Sequence, residues 1–247
     1  MPNLLNPLKK ILLTALLLIP TGLAAPVDDA LAALLKGQPD VSVKLLAGRQ
    51  DAPSLALLAR AYVGQTTFVA DTPTKKKLYA ASERAARAAI AADPRNAEGY
   101  VELANALALQ LQGAGVVQAT RSGLEIKGLF EQALKLDPTQ ARAWMGLGVW
   151  HAQALGLGPL VKLATGASEQ TMRADHQKSI DLELNEVFFR LNYADSLLLL
   201  AKSDAGRAAA LTGEARALLS AALTLTPQTY WQRYDQSQVR GRLNSLK

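Results

Sequence analysis

Two histidines, His151 and His176, are the side chains in this 247-residue sequence best suited to acid–base or metal chemistry, because imidazole titrates near neutrality and binds metals. The carboxylates Asp181, Glu183 and Glu186 offer the other usual ingredient, a pair for general acid–base catalysis. Cysteine is absent from the chain, which excludes thiol nucleophiles, disulfides and Cys-ligated zinc or iron–sulfur centres. The sequence also lacks a Gly-x-Ser-x-Gly elbow, a His-Glu-x-x-His pair and a phosphate-cradling Gly-x-x-x-x-Gly-Lys loop. Gly156 and Gly158 have no third glycine and no strand before them, so they make no dinucleotide fingerprint. Asp181, Glu183 and Glu186 are spaced around a helix end and do not converge on one face. No enzyme activity, cofactor or metal is expected.

The positions of the two histidines are explained by a periodic pattern. Leu55, Leu58, Ala59 and Tyr62 have the spacing bulky, bulky, small, bulky at i, i+3, i+4, i+7. The same spacing returns at Tyr100, Leu103, Ala104, Leu107, then at Trp144, Leu147, Gly148, His151, and more weakly at Arg190, Tyr193, Ala194, Leu197. The intervals between leading residues are 45, 44 and 46. A second set lies between these copies: Ser82, Ala86, Ala89, Pro94; Ile126, Phe130, Ala133, Pro138; and Ala215, Leu219, Ala222, Pro227. Its remaining member is Met172, His176, Ser179, with Leu184 where the others carry Pro. Both histidines therefore occupy packing positions.

An i, i+3, i+4, i+7 stripe is one face of an amphipathic helix, and the small member lets a neighbouring helix approach closely. Proline cannot continue a helix, so the second set ends at Asp93-Pro94 and Asp137-Pro138, where Asn96 or Thr139 can cap the next helix. Each unit is then a helix, a connection and a second helix. Such a pair cannot bury its apolar stripe alone, so the predicted fold is all-α, a solenoid of stacked antiparallel helix pairs.

Trp144-x-x-Leu147-Gly148-x-x-His151, preceded by Ala133-x-x-x-x-Pro138, resembles the tetratricopeptide repeat, whose pattern runs W-x₂-L-G-x₂-Y, A-x₃-F, then P. The resemblance covers residues 53 to 227. It departs from the family in its period, 44 to 46 instead of 34, and in Arg190 and Leu184. The surplus is expected in long loops within the hairpins, at Gly64 to Thr74, Gly113 to Gly123 and Gly156 to Ser168. The stretch 156–163 is apolar for a loop; it either folds back over the solenoid or makes an exposed contact with a partner or membrane. Helices near Asp28 to Lys36 and Val41 to Ala47 read as an incomplete N-terminal unit, and 229–246 as a C-terminal capping helix.

The resemblance implies a non-enzymatic scaffold that receives a protein or peptide partner in a concave groove lined by the first helix of each unit. Carried over by spacing, the groove positions are Arg60, Glu98, Val101, Glu102, Asn105, Arg142, Met145, Phe188, Leu191, Asn192 and Asp195. This set is mixed in sign and lacks the Lys/Arg-rich clamp by which some relatives hold a C-terminal carboxylate. The alternative is a small-molecule binder, similar to the periplasmic helical-repeat proteins that accompany solute transporters, with an apolar lumen closed by 156–163.

The start of the chain carries an address. Lys9 and Lys10 precede an apolar run from Ile11 to Ile19, followed by Pro20 and the small residues Gly22 and Ala24, the order of a secretory signal peptide. The run is shorter than the ~20 residues that span a bilayer. Residues 1–24 are therefore expected to direct export, with cleavage after Ala24, leaving a single domain over 25–247, periplasmic by expectation. The net charge of +6 does not point to nucleic acid: Lys75 to Lys77 form one short cluster, and Arg233, Arg240 and Arg242 are scattered without interleaved aromatics.

Overall fold

Helical stripes dominate from the first described turn to the last. The computed structural model describes residues 24–111 and 115–246, so the predicted signal peptide lies almost wholly outside the described residues, as does Gly113. Among the described residues the regular structure is helical: α1 (Ala24–Leu35), α2 (Pro39–Leu46), α3 (Ala52–Gln65), a 3-10 turn (Thr66–Phe68), α4 (Thr72–Ala92), α5 (Ala97–Gln110) and α6 (Val116–Leu136). These are followed by α7 (Ala141–Gly156), α8 (Pro159–Thr165), α9 (Glu169–Leu182), α10 (Val187–Ser203), α11 (Ala208–Leu223) and α12 (Tyr230–Ser245). None of these helices is long and apolar enough to cross a membrane.

The hairpins are α3–α4, α5–α6, α7–α9 and α10–α11, each packed intimately within itself. Their first helices also touch in order, α3 on α5, α5 on α7, α7 on α10 and α10 on α12, forming an inner layer. Burial follows the sequence stripes. Ala59, Ala104, Gly148 and Ala194, the small members, are all buried, as are Ala86, Phe130, His176 and Leu219 in the second set. Gly148 shows why a small residue is needed: a Cβ there would stand 2.7 Å from the His176 ring. Gly146 stands in the same relation to Phe130, whose ring would be 2.3 Å from an added Cβ.

The turns between units repeat at the level of single hydrogen bonds. The amides of Asn96, Gln140 and Glu186 donate to the carbonyls of Asp93, Asp137 and Glu183 at 3.0, 3.3 and 3.1 Å. Each leading residue then donates its polar tip to the carbonyl six residues back: Tyr100 Oη to Pro94, Trp144 Nε1 to Pro138 and Arg190 Nη1 to Leu184, at 3.1, 2.9 and 2.7 Å. Arg190 thus does with a guanidinium what Tyr and Trp do with a hydroxyl and an indole. The fourth unit keeps the turn without its Pro because hydrogen bonds, not the ring of proline, set it. Asn96 caps α5 through the Gly99 amide at 2.7 Å, as expected. Thr139 does not cap α7; the residue in that place is Gln140, whose side chain instead donates to Asp137.

The surplus over a 34-residue period is placed differently from the expectation. The first connection is shorter than the expected 64–74, since α3 runs to Gln65 and α4 starts at Thr72 with one 3-10 turn between them; α6 begins at Val116 inside the expected second loop, and α4 and α6 both run 21 residues. The extra length there is added helix. The third connection holds α8, started by Pro159 and closed by Gly166 in the left-handed region at φ 68°. Its Val161 is buried beside Trp150, Ala154 and Ala167, while Leu160 and Leu163 are 82% and 83% exposed. One face of 156–163 covers the solenoid and the other faces outward.

The two ends of the chain meet. Trp231 of α12 donates from Nε1 to the Leu34 carbonyl of α1 at 2.6 Å and packs with Ala30, Leu34, Leu46, Leu57 and Ala61. Phe68 lies 5.9 Å from the Tyr230 ring and 6.1 Å from that of Trp231. Gly37, at φ 77°, leaves room for the Tyr230 ring, which an added Cβ would strike at 2.3 Å. α12 is therefore the clasp between the last unit and the first.

Candidate functional site

The inner layer brings together four of the expected groove residues. Arg142 of α7 donates from Nη1 to Glu98 Oε1 at 2.7 Å and to Glu102 Oε1 at 2.5 Å, both on α5. Arg60 of α3 interacts with the same three charges and with Glu183, at the turn before α10. Four units thus contribute to one network, three through their inner helices and the fourth through the turn before α10. The chain places a charge at each of these positions although Glu102 is only 1% exposed.

The electrostatics follow from that crowding. Desolvation disfavours the charge on Arg142, yet Glu102 and Glu98 hold its pKa above the usual value. Arg142 pulls the Arg60 guanidinium below its ordinary value, and burial adds to this. Burial opposes ionisation of Glu98, but Arg142 and Arg60 win and lower its pKa. Glu102 goes the other way: burial raises its pKa despite Arg142, with Glu98 adding repulsion. Glu102 Oε2 is buried with no hydrogen-bond partner.

Beyond this network the carboxylates continue. Desolvation and the neighbouring Glu186 raise the pKa of Glu183. On α12, Asp235 is pushed up to about 7, chiefly by burial and further by Glu186. Gln232 of α12 donates to Glu186 Oε2 at 3.1 Å, tying the clasp to the start of α10. Glu98, Glu102, Glu183, Glu186 and Asp235 thus gather near Arg60 and Arg142, with the Arg190 guanidinium on the Glu186 carbonyl at 3.3 Å. Glu183 and Glu186, which the sequence spacing sets apart around a helix end, do stand close enough to repel one another; spacing gives Glu183 no place in the groove because its turn position lies outside the helix stripe, and Asp235 none because no repeat unit contains α12.

The remaining groove positions divide. Val101 is 0% exposed and Met145 is buried in the core, so they offer a partner little surface, whereas Leu191, though mostly buried, lines a cleft with Asp195 and Arg242. Phe188 is exposed, Asn105 and Asn192 are half-buried, and Asn192 donates to the Phe188 carbonyl. Asp195 pairs with Arg242 of α12 at 2.7 Å. The apolar lumen considered for a small-molecule binder is not what the inner layer presents: its lining is charged, and 156–163 packs on the side of α7 and α6.

The histidines do not come together with the acidic cluster. His176 is fully buried, stacked on Tyr193 at 4.8 Å, and hydrogen-bonded to Ser196 Oγ at 2.9 Å. Burial alone lowers its pKa to about 3, so it is neutral. His151 Nδ1 accepts from the Ser168 amide at 3.2 Å, which leaves the proton on Nε2. Among the described residues no group of His, Asp and Glu is arranged to hold a metal ion.

Stacked helix pairs with this register define a tetratricopeptide-like helical repeat. The fold is shared with TTC0263, a thermophilic tetratricopeptide protein of Thermus thermophilus, at a TM-score of 0.62 and 20% identity, over 90% of this chain and 97% of that one. PilF of Pseudomonas aeruginosa matches at 0.47 and 20% identity over 90% of both chains, and MamA at 0.43 and 14% identity over 85% of this chain and 96% of its own. No curated protein matches the chain. The family model described as regulator of microtubule dynamics protein 1-3 matches residues 41–174, more than half of the sequence, and the chain belongs to that family.

Proposed function

We propose that the protein is a non-catalytic interaction module whose inner face receives a basic segment of a partner protein. The observation that carries this is the crowding of carboxylates there: Glu186 adds to desolvation in raising the pKa of both Glu183 and Asp235, the mark of unbalanced negative charge. A Lys- or Arg-bearing segment supplies the missing positive charge, and complementary charge sets specificity and association rate. The family is named for regulation, which a non-catalytic repeat exerts by holding a partner. We also propose, from Lys9, Lys10 and the apolar run after them, that the protein is exported to the periplasm.

A peptide series of stepped charge tests the first proposal. Basic peptides should bind the full chain and acidic ones should not, and Glu183→Gln with Asp235→Asn should weaken the basic ones by roughly tenfold, the worth of one or two partly exposed charge pairs. Equal binding of basic and acidic peptides refutes the assignment. For export, a reporter active only outside the cytoplasm is fused after Lys36; an inactive fusion with residues 1–24 present overturns the proposal.

A further inference from the structure

On the outer side, α6 and α9 stand apart over α7 and leave a cleft of about 700 Å³, within the usual range for small-ligand sites. It runs along α6 from Lys127 to Lys135, about 12 Å at helical rise. Trp144 and Leu147 of α7 form an apolar wall. Asp175 of α9 lies at its floor, only 5% exposed.

Among the described residues none donates a hydrogen bond to Asp175, and its Oδ2 is buried without a partner. His151 Nε2 stands 3.9 Å away, beyond hydrogen-bond reach. Burial and the nearby Lys127 lower the His151 pKa, so a neutral imidazole faces the carboxylate. Lys127 is itself engaged, bonded to Glu131 and lying 5.6 Å over the Trp150 ring. A buried carboxylate without donors is costly unless something supplies them.

We propose that this cleft binds a small organic cation, a primary ammonium or guanidinium on an apolar body, with the cation donating to Asp175 and the body lying against Trp144 and Leu147. The site is separate from the acidic inner face and does not rest on the function proposed for it. Cation binding favours the ionised carboxylate, and burial pushes Asp175 up to about 6, so affinity falls as pH drops below about 6. Lys127, Glu131 and Lys135 from α6 and His151 from α7 are the other titratable groups at the cleft; α8 contributes Thr165, which does not titrate.

The test uses phenethylamine as probe, with 2-phenylethanol and 3-phenylpropionate as neutral and anionic matches. Titration of the full chain by two-dimensional NMR should show saturable shifts at residues lining the cleft. The amine should bind at least about tenfold tighter than either match, the worth of one charge-assisted hydrogen bond. Asp175→Asn should abolish that preference. Absence of saturable shifts with the amine, or equal or tighter binding of 3-phenylpropionate, overturns the proposal, as does a folded Asp175→Asn protein that keeps the preference. The comparison of three probes on the unaltered chain decides the matter even where the variant fails to fold.

Discussion

Replacing Arg142 by Met removes the guanidinium that donates to Glu102 and keeps much of the side-chain volume. Glu102 is 1% exposed, so the carboxylate left behind cannot turn to water, whereas Glu98, with its side chain 31% exposed, can. Breaking a buried pair from one side costs about 3–5 kcal/mol. For a chain of this size each kcal/mol moves the midpoint by about 2–4 °C, so a fall of roughly 6–20 °C is expected at pH 8. Protonation offers an escape. The Glu102 pKa is already raised by burial and rises further without Arg142, so the folded variant holds a proton that the unfolded chain releases. Its stability therefore grows as pH falls through the folded pKa toward the unfolded value, by up to about 1.4 kcal/mol per pH unit. Urea unfolding followed by circular dichroism at pH 8 and pH 5 measures both effects. The double variant Glu102→Leu with Arg142→Met should recover most of the loss, since an apolar pair replaces a buried ionic one at little cost. A single-variant loss under about 1 kcal/mol at pH 8, or a double variant no more stable than the single, refutes the reasoning.

Three further perturbations probe the packing. Gly148→Ala should cost about 1–3 kcal/mol because the His176 ring it strikes is held by Ser196 and Tyr193, whereas Gly128→Ala, with open space around its Cβ, should stabilise α6 by about 0.5–1 kcal/mol; thermal melts of the two variants should move in opposite directions. His176 is held neutral when folded, so the unfolded state takes up its proton first, and this contribution to stability is lost as pH falls from about 6.5 toward 3; its ring resonances should show no titration between about pH 7 and 4 in the folded protein. Trp231→Ala should cost about 2–3 kcal/mol, less than a fully buried Trp, and hydrogen exchange should show α1, α2 and α12 losing protection together; a loss confined to α12 would contradict the clasp.

The repeat stripes were legible because i, i+3, i+4, i+7 spacing is a local property, and every helical member of a stripe from Leu55 to Ala222 is buried or half-buried in the fold. The assignment of both histidines to packing rested on the same register. Loop length was less legible: Gly113 and Gly123 suggested a long connection, yet α6 tolerates Gly123 because the Trp150 indole donates to that residue's carbonyl and packs over it. The groove positions Val101 and Met145 come from spacing, which marks a helix face but not how closely the next inner helix covers it. The contacts of Glu183 and Trp231 lay beyond sequence spacing altogether, since Trp231 meets Leu34 across 197 residues.

That long-range contact changes how the stack comes apart. In an open array each terminal unit has one neighbour, so melting starts at a tip and travels inward. With Trp231 seated on Leu34, both tips are held by the same few aromatic rings, and fraying of either one must first break the join that protects the other. Partial unfolding then behaves like the cutting of a belt: intact while the buckle holds, and loosened from both sides once it opens.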